Sequence, residues 1–269
     1  MTTFTPVADA SSFRRMAAAM WRAPSDPSIY GSMDMDATPA LAFLDAERAR
    51  TQAKLTITHL VARAVALALR DQPELNGKVR FWGRLEQRAT IDVFVTVATQ
   101  GQRDLSGARI DRADEKSLAV LAAEIAERAG RIRKGSDASY QKSRGTFKKL
   151  PWWLARSATK LSDILVNELH FDLSSQGMPG DPFGSAIITS VGMFGIDTAF
   201  APFVPLARCP MLILVPEIRP RPWAVGDRVE VRPVLRLCAT FDHRIIDGAA
   251  AGAFAHRLGQ LFAAPDSLA

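Results

Sequence analysis

The octet Phe241-Asp242-His243-Arg244-Ile245-Ile246-Asp247-Gly248 constrains this chain more than any other stretch. An alternating run, Val231 to Ala239, precedes it and predicts a buried strand. An alanine-rich run, Ala249 to Phe262, follows and predicts a helix. A histidine therefore stands where a strand hands over to a turn, and rigid sheets commonly hold reactive groups at such ends. Asp247 lies four residues on, placed to fold back and orient or charge-balance the site. Gly248 lets the backbone turn tightly before the helix. A neutral imidazole takes up and returns a proton near pH 7, which is general-base chemistry. From spacing alone the pair reads equally well as a strand-end histidine beside a surface aspartate.

At 269 residues, 48% of them hydrophobic, the chain can fill one large domain or two small ones. No apolar run reaches the ~18 residues of a membrane span. Residues 1–12 read as a loose leader without the basic-then-apolar order of a secretory signal. Cys209 and Cys238 stand in apolar runs and are expected to be small core hydrophobes, not a disulfide framework. No cysteine–histidine spacing suits zinc. The expectation is a cytoplasmic protein without a structural metal. The net charge of +6 suits an anionic ligand or an acidic partner. The basic residues are scattered and few alternate with aromatics, so nucleic acid is not an expected partner.

Taken in order, Phe13 to Trp21 predicts a helix with Phe13, Met16, Ala17 and Met20 on one face. Ile29 to Asp36 alternates as a strand, with Met33 and Met35 inward. Thr38-Pro39 opens a helix to about Gln52. Leu55 to Leu69 is the clearest helix, with Thr58 as its expected cap and an apolar stripe of Leu60, Val61, Ala64, Val65 and Ala68. Val79 to Trp82 and Ile91 to Ala98 read as strands about a turn at Gly83-Arg84, and Ser117 to Lys134 as an amphipathic helix. Leu154 to Leu169 is a further helix with Leu154, Ala158, Leu161, Leu165 and Leu169 on one face. Such a stripe more often packs on its own domain, or forms a lid, than meets a partner. Trp152-Trp153 beside Lys148-Lys149 also suits a membrane surface. Val225-Gly226-Asp227-Arg228 predicts a hairpin turn.

His243-Arg-Ile-Ile-Asp247-Gly248 resembles the His-x-x-x-Asp-Gly motif of the dihydrolipoyl acyltransferases, the acyl-transferring components of 2-oxoacid dehydrogenase complexes. Asp242 stands where the related chloramphenicol acetyltransferases usually carry a second histidine. Lys54-Leu55-Thr56, Ala64 to Leu69 and Pro73-Glu74-Leu75-Asn76 look like the family's second-helix block. Phe183 to Ile196 resembles its Gly-x-Phe-Thr-Ile-Ser-Asn-Leu-Gly-Met-Phe-Gly segment. The likeness covers roughly 13–134 and 181–263. A Val-Pro-Val strand usual in the family is missing after Thr99 to Gly107, and about 30 residues are added between Gly135 and Gly180.

The resemblance implies an α/β fold, an α+β two-layer sandwich of the chloramphenicol acetyltransferase-like type: a mixed sheet with flanking helices. Residues 13–269 would be a single catalytic domain with a helical insertion at about 138–180. It implies a coenzyme A-dependent acyltransferase acting on a dihydrolipoyl-like thiol or another small acceptor. His243 would be the base, and Thr189 the donor to the oxyanion, with Ser190 the alternative if the register slips by one. Asp247 would fix the turn by pairing with a basic side chain such as Arg244 or Arg15. Coenzyme A, or its acyl ester, enters as substrate, and its phosphate-binding residues stay unassigned. A homotrimer is implied, with base and donor on different chains. No lipoyl attachment is expected in this chain, so a lipoyl-bearing or acyl-carrier partner acts in trans, or the acyl donor differs. In the large complexes an apolar C-terminal tail joins trimers, and only Leu268 is available for that. Two other readings stay open: a non-catalytic trimeric scaffold or binding homologue, and a membrane-associated acyltransferase using Trp152-Trp153.

Overall fold

The computed structural model describes residues 11–12, 16, 26–98, 105–134, 151–169, 171, 180–204 and 207–269. The helix expected over Phe13 to Trp21 lies mostly outside these residues, as does Arg15. One mixed sheet organises the rest. Its strands are β1 (Ser28–Asp36), β4 (Val93–Ala98), β5 (Leu105–Ile110), β6 (Ala186–Ser190), β7 (Met211–Val215), β8 (Arg219–Val225) and β9 (Arg228–Asp242). The order is β1-β9-β7-β6-β4-β5, with β8 paired to the first half of β9. β4, β6 and β7 run parallel, and β9 is antiparallel to both β1 and β7. A separate hairpin joins β2 (Gly77–Val79) to β3 (Leu85–Gln87).

Strand alternation sends successive side chains to opposite faces. On one face Val93, Val95, Ile188, Met211, Ile213, Val215, Leu235 and Leu237 join a single core with the helices α1 (Thr38–Thr51), α2 (Ile57–Asp71), α3 (Leu118–Arg133) and α5 (Gly248–Ala263). On the other face Ile187, Leu212, Leu214 and Cys238 meet the loop residues Val191, Ala199, Ala201 and Phe203. The result is a two-layer sandwich, as expected. Cys209 and Cys238 are free and buried.

Four local expectations are corrected. Helix α2 starts two residues later than read, and its cap is Thr56, not Thr58: Thr56 has extended backbone and its hydroxyl accepts the His59 N–H at 3.4 Å. Thr58 is already helical and cannot take that role. All of Leu60 to Leu69 is buried, so the helix is enclosed all round instead of showing one stripe. The guanidinium of Arg63 is accommodated there by donating to the carbonyls of Ala113 (3.2 Å) and Asp114 (2.7 Å). The strand expected over Val79 to Trp82 stops at Val79, because Phe81–Gly83 forms a tight turn with Trp82 at φ 57°, fully exposed.

The segment that the sequence reads as an insertion contains α4 (Trp152–Asp163), continued by a π-helical turn Ile164–Glu168. Its leucine stripe is only partly covered: Leu154, Leu161 and Leu169 are exposed, while Ala158 and Leu165 are half-buried. Ion pairs also tether the segment. Asp163 accepts from Arg208 at 2.7 Å, and Glu168 accepts from Arg208, from Arg80 Nε (3.1 Å) and from the Phe81 N–H (3.0 Å). Leu268 is buried in the chain's own core, so it is not presented as an anchor for another copy. Among the described residues no helix is long and apolar enough to cross a membrane.

Candidate functional site

β9 ends at Asp242 and α5 begins at Gly248, so His243 to Asp247 form the link that the sequence placed there. Three main-chain bonds build the turn. The His243 N–H donates to Pro27 O, and the N–H groups of Ile245 and Ile246 donate to Asp242 O, all at 2.9 Å. The imidazole Nδ1 lies 3.1 Å from Ile246 O. A carbonyl only accepts, so Nδ1 carries the proton and Nε2 keeps a free lone pair. His243 is exposed in the single chain.

Asp247 does not pair with Arg244. Its carboxylate caps α5 by accepting the Ala250 N–H at 2.9 Å, where the exposed backbone amides and the helix dipole favour an anion. Arg244 is engaged by a nearer acid. Its Nε and Nη2 donate to the two oxygens of buried Asp242 at 2.9 and 2.6 Å, a bidentate pair. The Arg244 N–H also donates to Asp242, at 3.0 Å. Sequence reading used Asp242 only as a family marker; the Asp-x-Arg spacing was the available signal for this clasp.

Thr189 stands near the end of β6. Alternation turns Thr189 to the face away from the helices, and Ser190 to the helix side with Ile188. The Thr189 hydroxyl lies 2.8 Å from that of Thr96 on β4. After β6 the chain turns through Gly192–Phe194, and Gly195 takes φ 72°. Gly192 is held to glycine by crowding: a Cβ there would lie 2.8 Å from the backbone of Pro216 and Glu217.

Within one chain, His243 and Thr189 do not meet. Thr189 is level with Leu214, and Leu214 with Cys238. His243 is five residues past Cys238 and two strands across. At ~3.3 Å per residue and ~4.8 Å per strand, the separation is roughly 19 Å. Beside the histidine turn a cavity of about 360 Å³ is lined by Asp26, Pro27, Phe203, Val204, Arg208, Cys209, Asp242 and Arg244. Burial pushes the Cys209 thiol up to about 12, so it supplies no thiolate there. A second, apolar gap of about 200 Å³ lies under α5 on the helix side, lined by Gly31, Ala239 and Gly252 among others.

A mixed sheet covered on one side by helices has solved counterparts. A dihydrolipoamide acetyltransferase from Azotobacter vinelandii superposes over 100% of this chain and 99% of its own, with TM-score 0.67 and 25% identity. That structure concerns the role of a serine, a histidine and, four residues later, an asparagine in its catalytic mechanism. The cubic core of a pyruvate dehydrogenase multienzyme complex shares the fold, at TM-score 0.68 and 24% identity over 100% of this chain and 99% of that one. The model of the 2-oxoacid dehydrogenases acyltransferase (catalytic domain) family matches residues 7–148 and 160–269. The chain belongs to that family. Among curated relatives it is 28% identical to the acetyltransferase component of the Zymomonas mobilis pyruvate dehydrogenase complex, over 85% of this chain and 42% of the relative. The corresponding Azotobacter vinelandii component is 30% identical, over 85% of this chain and 30% of its own length. The chain thus spans less than half the length of these relatives.

Proposed function

We propose that this chain is a coenzyme A-dependent acyltransferase, passing an acyl group between coenzyme A and a dihydrolipoyl-like thiol or another small acceptor. His243 is the general base, Thr189 the oxyanion donor, and Asp247 the residue that fixes the turn by capping α5. The observation that carries the reading is the 3.1 Å contact of His243 Nδ1 with Ile246 O, in a chain whose family is defined by acyl transfer: a carbonyl accepts, so the contact favours the Nδ1–H tautomer and leaves Nε2 to take a proton. The four-residue step from His243 to Asp247 matches that from histidine to asparagine in the Azotobacter enzyme.

A thiol of ordinary pKa ~8.5 is mostly protonated near neutrality. Nε2 of His243 takes that proton as the sulfur bonds to the thioester carbonyl carbon. The carbonyl oxygen gains the charge and receives the Thr189 hydroxyl proton as a hydrogen bond. Collapse of the tetrahedral intermediate breaks the old carbon–sulfur bond, and the imidazolium returns its proton to the departing thiolate. A placed base contributes roughly 10²–10⁴ in rate, and one oxyanion donor about 10²–10³.

The separation of base and donor within a chain supports a shared site, with His243 from one subunit and Thr189 from its neighbour in a homotrimer. The exposure of His243 and the partial exposure of Thr189, on the face away from the helices, fit that arrangement. Residues 13–269 act as one catalytic domain with an insertion at about 138–180, and a lipoyl-bearing or acyl-carrier group presents the acyl group or its acceptor to the site. The test is release of free coenzyme A from acyl-coenzyme A, followed with a chromogenic thiol reagent over a panel of acceptors. His243→Ala should lose at least ~10²-fold. Equal release by the variant and the parent would leave a non-catalytic scaffold as the reading.

A further inference from the structure

We propose that Thr96 is a positioning residue for the oxyanion donor, resting on the reading of Thr189 given above. β4 and β6 are parallel and pair Val95 with Ile188, so Thr96 and Thr189 are lateral neighbours on the face away from the helices. Their hydroxyl oxygens are 2.8 Å apart, a normal O–H···O length. Both side chains are half-buried.

The neighbours leave this pair to itself. On the far side of Thr189, β7 presents the buried Leu214. On the far side of Thr96, β5 presents Gly107, where a Cβ would strike the Phe94 ring at 2.3 Å. Neither of the two strands flanking the pair presents a polar side chain at their level.

Two hydroxyls carry two protons, and the contact between them uses one. The remaining proton points out of the pair. An oxyanion forming beside Thr189 selects one polarity: Thr96 donates to Thr189, and Thr189 donates to the oxyanion. An O–H group that is also accepting a hydrogen bond is polarised and donates more strongly. The contact also fixes the Cβ–Oγ rotor of Thr189, which β-branching does not restrain. Thr96 touches no reacting atom. It sets the direction and strength of a group that does.

The test uses acetyl-coenzyme A and dihydrolipoamide as probes, with Thr96→Val, Thr96→Ser, Thr189→Ala and the Thr96→Val/Thr189→Ala double variant of the full chain. Valine keeps the shape and removes the hydroxyl. Thr96→Val should lower kcat about tenfold, a fraction of what the donor itself contributes, with both KM values within about twofold. Thr96→Ser should recover kcat to within about threefold. In the Thr189→Ala background, Thr96→Val should change nothing further, because there is no hydroxyl left to orient. If Thr189→Ala loses kcat while Thr96→Val keeps it, the positioning role fails and the donor assignment stands. Multiplying losses in the double variant also overturn the positioning role. Full kcat in Thr189→Ala removes the donor assignment, and this inference with it.

Discussion

Thr189 and His243 lie at opposite ends of one sheet. The strand register puts Thr189 level with Cys238, five residues before the histidine. Parallel β6 and β7 against antiparallel β9 make this unavoidable: the strand ends that carry the two side chains point in opposite directions. Neither a rotamer change nor a loop shift closes roughly 19 Å. On the proposed reading, a second copy of the chain supplies the other half of the site.

Asp247 acts on the turn through the helix it caps. Asp247→Ala should cost about 1 kcal/mol in denaturant unfolding, the usual cost of losing such a cap. Asp247→Asn should retain most of that stability, because an amide oxygen also accepts the Ala250 N–H. An alanine variant as stable as the parent would show that the bond holds nothing.

How much of this was legible beforehand depended on the range of the interaction. The strand–turn–helix around His243, the hairpin at Gly226 and most helices follow from local periodicity, and they stand within a few residues of where the sequence put them. The two-layer fold followed from family likeness. The pairing of Thr96 with Thr189 depends on the register of two parallel strands 93 residues apart, which no local pattern encodes. Arg244 was assigned the wrong acid because Asp242 and Asp247 are both near in sequence, and only the turn geometry selects between them. Thr56 and Thr58 are chemically equivalent caps until the backbone decides which is extended. The exposure of Leu154, Leu161 and Leu169 was not legible, because apolar spacing says which residues share a face, not whether that face is covered.

Acid sensitivity should trace in part to His59. Burial pulls its imidazole from 6.5 down to about 4, and its Nδ1 has no hydrogen-bond partner. Above pH 6.5 the ring is neutral in both folded and unfolded chains. As pH falls from 6.5 towards 4, the unfolded chain binds a proton that the folded one refuses, so stability is lost over that window. Unfolding midpoints of the parent should drop more steeply there than those of His59→Leu. Parallel pH profiles would contradict the assignment.

Two glycines should respond with opposite sign. Gly192→Ala places a methyl against the Pro216–Glu217 backbone and should cost about 1–3 kcal/mol. Gly130→Ala, inside α3 and facing open space, should stabilise by about 0.5–1 kcal/mol through helix propensity. Chemical denaturation of the two variants checks both.

The exposed face of α4 should tolerate polarity. Leu161 is 57% exposed, so Leu161→Gln should shift unfolding by no more than about 0.5 kcal/mol. Leu235→Ala, wholly inside the core, should cost about 2–5 kcal/mol. Similar losses from the two would mean that α4 is covered after all.

Subunit mixing tests the shared site most directly. Thr189→Ala and His243→Ala chains are prepared alone and co-expressed at equal levels, and acyl transfer from acetyl-coenzyme A to dihydrolipoamide is measured. Each variant alone should be nearly inactive. Random mixed trimers should regain about a quarter of the parental activity, since a site then needs one intact residue from each of two neighbouring chains. Mixed oligomers no more active than the separate variants would contradict a site built from two subunits.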